Sequence, residues 1–99
     1  MAVGILQMVP GGTKEQYDQV NEAMFGQSRP SSDQVPEGLI IHSAGPAEGG
    51  WYIYDIWESR EAFGRFMEEK LGPAITQVMG EPTGTPEFDH YEVLSTYVA

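Results

Sequence analysis

Tyr52-Ile53-Tyr54-Asp55-Ile56-Trp57-Glu58-Ser59-Arg60-Glu61-Ala62-Phe63 carries a strand, a stop and a helix start in one short stretch. Up to Trp57 the residues are mostly β-branched or aromatic, the types that suit a pleated, half-buried surface. Ser59 then offers an oxygen to the first free N–H groups of a helix. Phe63, Phe66, Met67 and Leu71 follow at the spacing of one helical face, while Arg60, Glu61, Glu68, Glu69 and Lys70 stay wet. Along the strand, Trp51, Ile53, Asp55 and Trp57 fall on one side and Tyr52, Tyr54 and Ile56 on the other. Both sides carry rings, so both need cover. Helices supply one cover, and the sheet of a second copy is the economical choice for the other.

Outward from this stretch the chain alternates strands and helices. Residues 3–9 form a short apolar strand closed by Pro10-Gly11-Gly12. Thr13 with Gln16 makes a capping-box pattern, Tyr17, Val20, Ala23 and Met24 make one apolar helix face, and Gly26 ends that helix. Residues 27–38 are polar and rich in Ser and Pro, a loop and a candidate lid. A second strand over 39–44, a hairpin connection over 45–50 and a third strand over 51–57 follow. Gly72-Pro73 is expected to break the second helix, leaving a short further piece up to Met79 and Gly80. After a connecting loop over 81–86 comes a last strand over 88–98, with Phe88, Leu94 and Val98 opposed to Tyr91, Val93 and Tyr97. The order is βαββαβ. It predicts a single α+β domain over 1–99, a ferredoxin-like antiparallel sheet with helices on one face, and a homodimer.

Composition excludes several function classes. Without cysteine there is no disulfide, zinc finger or thiol nucleophile. Five basic residues against fifteen acidic ones give a net charge of -10, which repels nucleic acid and anionic membranes. A neutral or cationic ligand is easier to accept, although acidity also serves solubility alone. The first residues lack a basic leader, and no segment approaches the ~20 apolar residues that span a bilayer. A cytoplasmic protein is expected.

Residues 52–63 resemble the strand-to-helix signature of the dimeric α/β-barrel superfamily, most closely the antibiotic-biosynthesis-monooxygenase-like domains, where a Trp-x-Ser-x-x-Ala-Phe run follows the third strand. The resemblance implies the same fold and a pocket between sheet and helices. It also implies a small cofactor-independent enzyme, of monooxygenase, cyclase or isomerase type, acting on an aromatic or polyketide-like molecule. The haem-degrading branch would place an Asn in the first strand and a His in the second helix. This chain has Gln7 in the first strand and no His between Ser59 and Gly80, which argues against haem. The alternative is a non-catalytic module that binds a small hydrophobic molecule or serves as a structural dimer.

Few residues offer chemistry. His42 and His90 are the histidines, and either suits acid–base work near neutrality. Asp55 shares a strand face with Trp51 and Trp57, where a carboxylate needs a partner or is forced toward neutrality. His42 and Asp55 are therefore the candidate catalytic residues, against the alternative of a satisfied core histidine and a structural carboxylate. Tyr17, Tyr52, Tyr54, Trp57 and His90 are candidates to contact a planar ligand, against a core or interface role. Tyr17 is the first choice for a hydroxyl on the pocket wall. Joining both histidines and an acid (Asp55, Asp89 or Glu92) in one iron site has no support from spacing, so neither metal nor cofactor is expected. Gly11-Gly12-Thr13-Lys14 reads as a turn with a cap, not a phosphate loop.

Overall fold

The computed structural model describes residues 2–80 and 89–97. Its elements are β1 (Val3–Pro10), α1 (Lys14–Phe25), β2 (Leu39–Ala47), β3 (Gly50–Trp57), α2 (Arg60–Phe66), a π turn (Met67–Leu71), α3 (Gly72–Met79) and β4 (Asp89–Glu92). The four strands form one antiparallel sheet in the order β2-β3-β1-β4. This is the expected ferredoxin-like α+β arrangement. Among the described residues no helix is long and apolar enough to cross a membrane.

The caps work as the sequence implies. Thr13 Oγ1 accepts the Gln16 N–H at 3.2 Å, and Ser59 Oγ accepts the Ala62 N–H at 3.1 Å. Gly26, at φ 75°, closes α1 by donating its N–H to the Glu22 carbonyl at 2.8 Å. Residues 27–34 are fastened by Gln34, whose Oε1 accepts from Ser31 N and Gln27 Nε2 and whose Nε2 donates to the Phe25 carbonyl. This stretch of the candidate lid is folded on its own hydrogen bonds.

Three expectations are corrected. The hairpin connection is tighter than 45–50, because β2 continues to Ala47 and β3 begins at Gly50. Pro46 lies within β2, an edge strand, where a missing N–H costs no ladder bond on the open side. Gly72-Pro73 does not break the second helix. The chain passes through a π turn in which Gly72 N–H reaches back to the Met67 carbonyl, and this wider turn accommodates the proline. A Cβ at Gly72 would stand 2.8 Å from that carbonyl oxygen, so only glycine fits. The last strand is shorter than 88–98. β4 stops at Glu92, opposite Val3, and after Val93 N–H bonds the Ala2 carbonyl no described backbone remains to pair with it. Phe88 and Val98 lie outside the described residues.

The core sits between the sheet and α2. Val3, Ile5, Trp57, Ala62 and Phe63 are buried together, with Leu39 and Phe66 packed around them. Trp57 is fully buried, its ring 5.7 Å from Phe63 and 5.2 Å from Phe66 between centroids. The opposite face of the sheet follows from the register: Gly4, Leu6 and Met8, then Ile41, Ser43 and Gly45, then Tyr52, Tyr54 and Ile56, with Tyr91 on β4. Among the described residues no helix covers this face, and Met8 and Tyr91 are about half exposed.

Candidate active site

Three elements meet on the helix side of the sheet. α1 carries Tyr17 one turn beyond its cap, β2 carries His42, and β3 carries Asp55. His42 and Asp55 are direct cross-strand partners, and His42 Nδ1 lies 2.5 Å from Asp55 Oδ1. The other carboxylate oxygen accepts the Trp57 indole N–H at 3.2 Å. At the outer end the Tyr17 hydroxyl meets His42 Nε2. A continuous chain of hydrogen bonds, Trp57–Asp55–His42–Tyr17, thus runs from the core outward. Asp55 is 7% exposed, whereas the His42 side chain is 38% exposed. The relay begins dry and ends at the surface.

Its protons can be assigned from one end. Burial pushes the Tyr17 phenol above the usual tyrosine range; a hydrogen bond to Asn21 and the charge of Arg29 oppose the rise, and Asp55 and Asp18 add to it. Tyr17 therefore keeps its proton and donates it to Nε2. The imidazole then carries its own proton on Nδ1 and donates to Asp55. This is the orientation of a base held by a carboxylate, with a hydroxyl where a nucleophile or proton carrier stands in hydrolytic triads. The Tyr17 ring lies parallel to His42 (6.0 Å between centroids, 6° between planes) and is tilted against Trp51 (5.4 Å, 37°). Trp51 is 8% exposed, and its indole N–H has no acceptor among the described residues. Asn21 is buried beneath the site and donates to the Ser28 carbonyl at 3.0 Å, tying α1 to the loop that follows.

The other expected site residues lie elsewhere. Tyr52 and Tyr54 are on the opposite face of the sheet; the Tyr54 hydroxyl lies over Gly4 and the Tyr52 ring over Gly45. Strand alternation separates them from the relay. Trp57 is sealed in the core and lines no opening; its contact with the site is its N–H on Asp55. His90 shares the helix side, but on β4, where its Nδ1 accepts from Arg60 Nη2 at 2.8 Å and its ring meets Phe63 edge-on. Three strand spacings separate His42 from His90, about 14 Å, too far for both to hold one ion. Among the described residues no cluster of His, Asp and Glu is arranged to hold a metal. Two open grooves also lie away from the relay. One is lined by Gln19, Glu22, Ala23, Gln77 and Val78, the other includes Arg60, His90 and Tyr91.

Two contributors were not singled out by sequence for what they do here. Trp57 orients Asp55 from two residues along the same strand face, a relation that alternation contains. Asn21 stands four residues after Tyr17 on α1, within reach of its hydroxyl by helical spacing.

Comparison with solved structures finds this architecture in SnoaB, described as a cofactor-independent oxygenase from Streptomyces nogalater and solved as a point mutant. The likeness covers 96% of this chain and 94% of that one, with a TM-score of 0.57 and 15% identity. The two share a fold. No family model matches the chain, and no curated protein does.

Proposed function

We propose that this chain is a small cofactor-independent enzyme that takes a proton from an aromatic or polyketide-like molecule, and that it works as a homodimer. The relay Trp57–Asp55–His42–Tyr17 carries this reading. A substrate hydroxyl donating to Tyr17 Oη passes one proton inward as Tyr17 passes its own to His42 Nε2. Asp55 stabilises the imidazolium that forms. The substrate is left as an electron-rich anion. A quinol anion can give electrons to dioxygen directly, a polyketide enolate can close a ring, and either can take its proton back at another atom. The chemistry is therefore of monooxygenase, cyclase or isomerase type according to the substrate. The oxygenase activity in SnoaB's description supports the first of these, as likeness of fold.

The test is turnover of a quinol or polyketide mimic by the folded protein and by His42→Ala and Asp55→Asn. Removing a positioned base costs about 10²- to 10⁴-fold. Turnover in either variant equal to that of the unmodified protein would remove the relay from the mechanism. The dimer rests on the uncovered sheet face, where Leu6, Met8, Ile41, Tyr52 and Tyr54 form an apolar surface that a second copy would bury. Its check is the mass in solution, with Leu6→Glu expected to halve it.

A further inference from the structure

Beside the relay stands one donor without an acceptor among the described residues. Tyr17 lies between two rings, and the bonds on its two sides are unequal. Toward His42 its hydroxyl is committed to Nε2. Toward Trp51, at 5.4 Å between ring centroids, the indole N–H is buried and bonds nothing among the described residues. Leaving a buried donor unpaired costs about 1–3 kcal/mol. The second indole of the same strand face shows the contrast, since Trp57 N–H is satisfied by Asp55. Both tryptophans thus stand on the sheet face that carries the relay, one with its N–H bound to the inner end and the other with an unbonded N–H on the ring that packs against Tyr17.

The proton transfer creates a need at that outer end. When the substrate proton has moved to Tyr17 and the Tyr17 proton to His42, the substrate oxygen bears the negative charge. Tyr17 then donates back to that oxygen. A single neutral donor is weak support for an oxyanion on a protein of net charge -10. Fixed donors aimed at developing charge are the most effective means of lowering such a barrier.

We propose that the Trp51 indole N–H, together with the Tyr17 hydroxyl, forms a two-donor site for a phenolate or enolate oxygen. The ligand class is a planar hydroxyaromatic or its enol equivalent, stacked beside Trp51 and Tyr17 and bound more tightly as the anion than as the neutral form. The assignment rests on the proton relay proposed above and adds the group that receives the resulting charge. The transfer is balanced: one proton leaves the ligand oxygen and one arrives at His42 Nε2, with no change of oxidation state.

The probe is 4-nitrophenol, whose anion is coloured, beside nitrobenzene, which has the ring without the ionisable hydroxyl. The unmodified protein is expected to bind nitrophenolate and lower the apparent pKa of the bound phenol. Trp51→Phe keeps a ring and removes the N–H; it should weaken nitrophenolate binding about tenfold and leave nitrobenzene unchanged. Equal weakening of both probes would show Trp51 to be packing only and overturn the assignment. Should Trp51→Phe fold poorly, the indole N–H resonance of the unmodified protein gives the answer. It is expected to move downfield with nitrophenolate and stay in place with nitrobenzene, and no movement with either overturns the assignment. If Trp51→Phe keeps full preference for the anion while His42→Ala loses turnover, the donor site falls and the relay stands. If the unmodified protein binds neither probe, the donor site falls, and the relay is judged by the turnover of the His42 and Asp55 variants.

Discussion

His42 and His90 end the same cross-strand row, in which His42, Asp55, Ile5 and His90 stand side by side on β2, β3, β1 and β4. They share a sheet, a face and a residue type, yet their surroundings diverge. His42 has a carboxylate as its neighbour in the row, so its Nδ1 is fixed and its Nε2 faces Tyr17. His90 has Ile5, so its ring turns to Phe63 and its Nδ1 accepts from a cation, Arg60. In the proposed relay, the residue opposite decides which histidine has the orientation that acid–base work requires. Here the exposed side chain of His42 is the better candidate because Asp55 beside it is nearly sealed.

The sharpest way to break this contrast is to move the carboxylate's influence. Asp55→Asn should reduce turnover of a quinol mimic by about 10²-fold or more, whereas His90→Ala should change it less than about threefold. Equal effects would mean that the row has no privileged end. Next in size is Trp57→Phe, which keeps the core ring and removes the donor to Asp55. Loss of a hydrogen bond to a charged partner predicts about 1.5–3 kcal/mol of destabilisation in urea titrations, with turnover falling as Asp55 loses its orientation.

A third expectation concerns pH. The folded pKa of Tyr17 is raised by burial, so the folded state holds this proton more tightly than the unfolded chain. Its contribution to stability is complete below the unfolded tyrosine pKa of about 10 and is lost as pH rises through the folded value. Unfolding free energy should therefore fall above about pH 10, and Tyr17→Phe should flatten part of that fall. Parallel curves would place the titration elsewhere. The smallest effect belongs to the β4 end. Arg60→Ala, removing an exposed partner of His90, should alter stability by no more than about 0.5 kcal/mol.

Much of this geometry was legible in the chain. Alternation along β3 put Trp51, Asp55 and Trp57 on one side, and helical spacing put Tyr17 on the inner face of α1. The pairing of His42 with Asp55 was not legible, because register is decided by the turn. A loop over 45–50 would set Ala44 against Trp51 and leave His42 opposite Ile53. The observed turn at Glu48 and Gly49 extends the ladder and brings Asp55 into line. Glycine and proline at 45 and 46 read as loop residues, and only the edge position of β2 explains why they serve as strand. The Tyr52 and Tyr54 rings misled for a related reason. Aromatic content marks burial on either face, and nothing local says which face meets a ligand and which meets another protein.

The π turn has a consequence in the language of genes. A π turn holds one residue more than a regular helix needs over the same span, so α2 and α3 keep the relative setting of an unbroken helix. One codon removed from Met67–Leu71, with Pro73 changed to alanine, should leave both helices where they are. One codon removed within α3 beyond Ala74 would instead turn the residues after it by about 100°. Once Pro73 is replaced, a reading frame can thus lose a triplet at the π turn and keep its protein, whereas a triplet lost beyond Ala74 would disturb the packing of the end of α3.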